Sequence, residues 1–280
     1  MEQAAVVTYW LSLAFLIAAT VLYAYQFLMR RQNIGWWARF ATGAAFLSLT
    51  AAIGLRSAAL EDSMIVGPYN QLVLVAWALL LLYFALEHLI KVKTYGTFLV
   101  PAALVMLIIA QFLQGAAPSG LTDEAVKQLD SWRVTIHVAL IVFANAGFLI
   151  GGAASGLYLV LDSQLKHHRT SVFFRRMPSL AQAQTIARRT IALAFPIYTA
   201  GMVLGVIRAI ETDVAGFWAD ARVIMAGLVW FVFGTYLVLL YRHGISSRSA
   251  SWIAIIGVAV VIVLAILART LPVGFHVFGL

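Results

Sequence analysis

Cysteine is missing from all 280 residues. This excludes disulfides, thiolate metal sites and any cofactor tethered through sulfur on this chain. Charge is scarce as well. Only 11% of the residues are Asp, Glu, Lys or Arg, against about 25% in a soluble domain. A water-facing surface cannot be built from so little polar material. There is also no HExxH pair for zinc, no Walker-type phosphate loop and no paired carboxylate inside an apolar run, so the usual soluble-enzyme signatures are absent. What is abundant is hydrocarbon. Hydrophobic residues make up 63% of the chain and the mean hydropathy is +0.94. Such a composition belongs in lipid.

A helix needs about 20 mostly apolar residues to cross a bilayer. The sequence offers eight such stretches, roughly 6–29, 38–58, 71–91, 97–115, 134–162, 190–211, 219–241 and 251–271. The expected fold class is all-α, a polytopic membrane helix bundle with about eight transmembrane helices. The first stretch follows Met1-Glu2-Gln3, without the positive segment and small-residue cleavage site of a signal peptide. It is expected to stay as a membrane anchor.

Alternate loops differ in charge. Arg30, Arg31, Arg39, Lys91, Lys93, Lys166, Arg169, Arg175, Arg176, Arg188, Arg189, Arg242 and Arg248 fall on one side of the predicted bundle. Glu2, Glu61, Asp62, Asp123, Glu124, Asp130, Glu211, Asp213 and Asp220 fall on the other. Basic loops remain cytoplasmic, so both termini are expected outside. The formal net charge of +8 is thereby read as a topology signal, and nucleic acid is not an expected partner. Leu121-Thr122-Asp123-Glu124 is expected to cap a short amphipathic helix in an outer loop. Pro178-Ser179-Leu180 begins a stretch that can lie in the inner interface. In the fifth span Gly147 and Gly151, then Gly152 and Gly156, are spaced for close helix–helix approach.

The topology sorts the six histidines. His88, His167, His168 and His243 sit at the cytoplasmic edge among basic residues and read as solvated interfacial side chains. His137, one helical turn after Arg133, and His276, beyond the eighth span, both fall near the outer surface. Two imidazoles brought to one membrane level can hold a haem iron from both faces. They can equally be ordinary hydrogen-bonded interfacial residues. Arg56, Arg208, Arg222 and Arg269 lie near outer helix ends, where guanidinium groups can pair with haem propionates. Glu61, Asp62, Glu211, Asp213 and Asp220 offer them simple ion pairs instead. Trp218, Phe217 and Trp132 can stack on a porphyrin or belong to an aromatic belt.

Four stretches resemble the cytochrome c assembly family of haem-handling membrane proteins, the CcsA/ResC/HemX type. The first is His137-Val138, followed by Asn145-Ala146-Gly147-Phe148, Gly156-Leu157-Tyr158-Leu159 and Leu165-Lys166. The second runs from Pro178-Ser179-Leu180 through Ala187-Arg188-Arg189 and Phe195-Pro196 to Gly201-Met202-Val203-Leu204-Gly205. The third is Gly274-Phe275-His276-Val277-Phe278-Gly279, similar to the family's external Gly-Leu-His-Ser-Tyr-Gly. The fourth is Pro68-Tyr69-Asn70-Gln71 with Lys93-Thr94-Tyr95-Gly96-Thr97-Phe98-Leu99-Val100-Pro101. On this resemblance residues 1–280 form a single integral membrane domain, about 1–36 an N-terminal anchor helix and 37–280 an assembly-like core.

The resemblance implies a non-covalent b-type haem at the outer face of a bacterial cytoplasmic membrane, held by His137 and His276. It implies delivery to an apocytochrome c and a membrane partner of the Ccs1/ResB type. The family's tryptophan-rich segment reads Trp-Asp-Pro-Lys-Glu. Here it is Phe217-Trp218-Ala219-Asp220-Ala221-Arg222-Val223, with Asp220 and Arg222 matching the acid and base. Trp218 is displaced by one position, and Arg208 stands where a tryptophan is expected. Larger members carry histidines within the membrane, and the corresponding positions here hold Ser48 and Val238. Two other readings stay open: a membrane subunit of an electron-transfer complex with a fixed b-haem or a quinone, and a haem-free scaffold or regulator.

Overall fold

A computed structural model describes residues 1–29, 32–59, 67–90, 95–113, 131–167, 177–213 and 216–270. Among them are eight α-helices: α1 (Glu2–Met29), α2 (Gln32–Ala59), α3 (Pro68–Ile90), α4 (Gly96–Phe112), α5 (Trp132–Lys166), α6 (Leu180–Glu211), α7 (Ala221–Arg242) and α8 (Ser247–Thr270). A short 3-10 turn, Phe217–Ala219, precedes α7. No strand occurs among the described residues. Each of the eight expected apolar stretches falls on one helix, as it must where lipid offers the backbone no hydrogen-bond partner. Six of the helices, α1, α2, α3, α5, α6 and α7, are long and apolar enough to cross a membrane. The helix α4 has 17 residues, or about 26 Å at 1.5 Å per residue, slightly less than a bilayer core of about 30 Å.

The chain divides into two compact units, Met1–Val126 and Lys127–Phe278. In the first unit, α1 runs antiparallel to α2 and α4. The Ser12 hydroxyl donates to the Ala45 carbonyl at 3.0 Å, and the Tyr9 hydroxyl donates to Leu107 at 2.7 Å. At the other end of this unit Tyr23 and Tyr83 share a hydrogen bond, and Tyr83 donates to Glu87 at 2.6 Å. Glu87 forms its ion pair with Arg39 of α2, 3.4 Å away. This run of polar contacts keeps a carboxylate neutralised near the helix ends, where an unpaired charge would be costly.

In the second unit α5, α6, α7 and α8 run up and down. Phe148 and Phe233 stack at its centre, with centroids 3.8 Å apart and planes within 4°. Ile191, Tyr198 and Tyr236 are buried around them. The glycine pair Gly147 and Gly151 lets α5 approach α6: a methyl group at Gly151 would fall 2.5 Å from Ile191 Cγ1. Gly152 faces Val258 of α8 instead, and Gly156 meets nothing within 4 Å. The spacing therefore marks close approach at three of the four glycines, against two different helices.

Helix starts follow their caps. Ser131 caps α5, and Ser179 with Gln182 forms a reciprocal capping box on α6. The stretch from Pro178 is thus the cap and first turns of a continuous 32-residue helix, rather than a separate interfacial segment. The expected amphipathic helix from Leu121 lies outside the described residues.

Candidate functional site

One end of the second unit gathers the N-termini of α5 and α7 and the C-termini of α6 and α8. On α5 the Ser131 side chain accepts from the Arg133 backbone N–H, which starts the helix and sets Trp132, Arg133 and His137 in its first two turns. Arg133 and His137 are four residues apart and so share a face. On α6, Gly201, Gly205 and Arg208 occupy the facing side.

His137 lies against this glycine face. Its Nδ1 is 2.7 Å from the Gly201 carbonyl oxygen. A carbonyl can only accept, so Nδ1 donates, and the neutral ring carries its lone pair on Nε2. Gly205 makes the approach possible. A methyl group there would fall 2.8 Å from His137 Cε1 and 2.9 Å from Nδ1. Histidines that ligate metals typically donate their other ring N–H to a carbonyl or carboxylate in this way.

Two guanidinium groups stand one turn further toward the helix ends. Arg133 Nη1 lies 3.0 Å from Glu211 Oε2, and Arg208 Nη1 lies 3.8 Å from the same oxygen. Arg133 also sits over the Trp132 ring at 5.2 Å. Two cations thus share one carboxylate near the imidazole. An anionic group arriving there meets donors already gathered in place.

Residues 65–276 match the family profile described as "Cytochrome C assembly protein". The chain belongs to the cytochrome c assembly family. It is 27% identical over 262 residues to "Cytochrome c biogenesis protein CcsA" of Prochlorococcus marinus (strain MIT 9303), covering 84% of this chain and 81% of that protein. It is 25% identical over 294 residues to the protein of the same name from Guillardia theta, covering 98% and 91%. "Protein HemX" of Brevibacillus brevis is 26% identical over 232 residues, covering 81% and 83%.

The family segment includes every helix of the second unit. Phe217 is buried while Trp218 is 64% exposed, their rings 4.1 Å apart. Trp218 therefore presents its indole outward from the turn before α7. Asp220 is 3% exposed, and its Oδ1 accepts from the Arg222 backbone N–H at 2.7 Å. The acid and base that match the family segment thus form the N-cap of α7 and its first turn, which orients the Trp218 turn against the helix. Arg56 belongs to the first unit, where it packs over Tyr69. Arg269 lies in the last turn of α8; its side chain, and all of His276, lie outside the described residues.

Three residues of this cluster were not singled out as ligand contacts by sequence: Arg133, Gly201 and Gly205. The available signal was the small-residue pair Gly201-x-x-x-Gly205, a helix-contact spacing. What it contacts is the imidazole. The donor set suits haem. Among the described residues no three His, Cys, Asp or Glu converge on one point.

Proposed function

We propose that this protein is a membrane component of cytochrome c biogenesis that holds haem at the α5–α6 end of its second unit for transfer to an apocytochrome c. The carrying observation is the 2.7 Å contact from His137 Nδ1 to the Gly201 carbonyl. It orients the ring so that Nε2 is the nitrogen that would meet the iron. Arg133 and Arg208 meet the propionates, exchanging part of their shared pairing with Glu211 for two new anions. Trp218 offers an aromatic face at the same end. By the family resemblance His276 would supply the second ligand nitrogen, and Arg222, Arg269 and the cap at Asp220 are the further residues expected to serve the haem.

The basic loops at the opposite end support an outside-facing site, in a bacterial cytoplasmic membrane on this reading. A haem held here would be of b type and non-covalent, and would supply the vinyl carbons to which substrate cysteine thiols add. The protein itself, lacking cysteine, contributes position. Holding the acceptor in one orientation against an incoming thiol is the source of rate. A membrane partner of the Ccs1/ResB type completes the assembly.

The test is an absorption spectrum of detergent-purified protein, oxidised and reduced. Two axial imidazoles give a low-spin, six-coordinate spectrum. In His137→Gly and in His276→Gly the iron should turn high-spin, and added imidazole should restore the original bands. His88→Gly and His243→Gly should match the parent protein. Unaltered spectra in both outer variants would refute the ligand assignment.

A further inference from the structure

The first unit has a cleft of its own, which neither the family segment's histidine nor the arginine pair uses. It lies between α1, α2, α3 and α4 and is lined by Val6, Tyr9, Trp10, Ala52, Arg56 and Tyr69, among others. Arg56 is the only charged residue in that lining. Its guanidinium carbon sits 4.5 Å over the Tyr69 ring. Its Nε is buried and meets no hydrogen-bond acceptor among the described residues. None of the ion pairs among the described residues includes it. Among the described residues this half-buried guanidinium meets the Tyr9 and Tyr69 rings and no carboxylate, a setting that favours an anion beside it.

Depth and size narrow what the anion can be. The helices α1 and α2 have 28 residues each, or about 42 Å of length. That equals the thickness of a bilayer with its head groups, about 40–45 Å, so the helix ends reach the head-group layer. Arg56 lies in the last turn of α2, and Tyr69 in the first turn of α3. The cleft is small and open on one side, a shape that suits an oxyanion or a narrow chain. Val6 and Trp10 of the lining are 43% and 53% exposed on α1, and in a membrane this face meets acyl chains.

We infer that the Arg56 cleft binds the phosphate of one anionic phospholipid at head-group level. The guanidinium pairs with the phosphate in its bidentate geometry. Tyr69 supports the cation from behind, and one acyl chain runs along Val6 and Ala52. The lipid holds the α1–α2 helix ends to the α3–α4 ends through a shared anion. This assignment stands on the first unit alone and is independent of haem.

Full-length protein is placed in nanodiscs of phosphatidylcholine containing a minor fraction of phosphatidylglycerol, re-extracted, and read by native mass spectrometry. The parent should retain one phosphatidylglycerol. Arg56→Gln, which keeps length and removes the charge, should lower that retention about tenfold, the loss expected for a charged hydrogen-bond pair. Val6→Trp, which adds bulk to the lining from an exposed position, should lower it too. Retention unchanged in both variants overturns the proposal. So does a loss of haem in Arg56→Gln with lipid retention intact, which would give Arg56 to the haem site instead.

Discussion

Replacing Gly205 with alanine tests the seat of His137 most directly. In a helix interior the change should by itself stabilise by about 1 kcal/mol. Here the new methyl carbon would lie 2.8 Å from His137 Cε1 and 2.9 Å from Nδ1. Ordinary carbon contacts need about 3.5–4.0 Å, so the ring must retreat by most of an ångström. The Nδ1–Gly201 bond, now 2.7 Å, then exceeds hydrogen-bonding distance. Overpacking costs about 1–3 kcal/mol and the lost hydrogen bond about 0.5–1.5 kcal/mol. The net expectation is a destabilisation of about 1–3 kcal/mol, or several degrees in Tm, together with weakened haem retention. Gly227→Ala is the matched control, because a methyl group there meets nothing within 4 Å; it should be neutral or stabilising. Thermal unfolding in one detergent, read beside the haem spectrum, measures both. If Gly205→Ala equals Gly227→Ala in stability and keeps the parent spectrum, the imidazole is not held as described.

Three further outcomes are expected. Phe148→Ala removes one half of the stacked pair at the centre of the second unit and should cost about 3–5 kcal/mol, seen as a large fall in Tm without change in membrane insertion. Glu211→Gln removes the carboxylate shared by Arg133 and Arg208; haem affinity in a titration should rise, with stability changed by less than about 1 kcal/mol because the pairs are partly exposed. Cysteines introduced at Gly120 and Arg175, in a chain that has none, should react with impermeant reagents from opposite sides of the membrane. Labelling of both from one side would reverse the loop-charge argument.

Much of the fold was legible in the sequence because it depends on local composition. Each apolar stretch became one helix, and Ser131, Ser179 and Asp220 act as caps where short polar side chains precede helical runs. The glycine spacings announced close contact, and His137 could be assigned to a helix end from hydropathy alone. The partners could not be read. Gly201 lies 64 residues from His137, and Glu211 lies 78 residues from Arg133. Glu87, which adjoins His88 in sequence, pairs with Arg39 on another helix.

The physical reason lies in the solvent. In water the buried face of a helix is apolar and the exposed face polar, so a hydropathy pattern names the side that packs. In lipid both faces are apolar, and helix association rests on shape and on a few polar contacts rather than on hydrophobic contrast. Sequence by itself therefore determined that this chain forms membrane helices, about where they begin and end, and the family to which its motifs are akin. Only the tertiary structure decided which glycines meet α6 and which meet α8, that a carbonyl of α6 orients the imidazole of His137, and that two arginines converge on one carboxylate beside it.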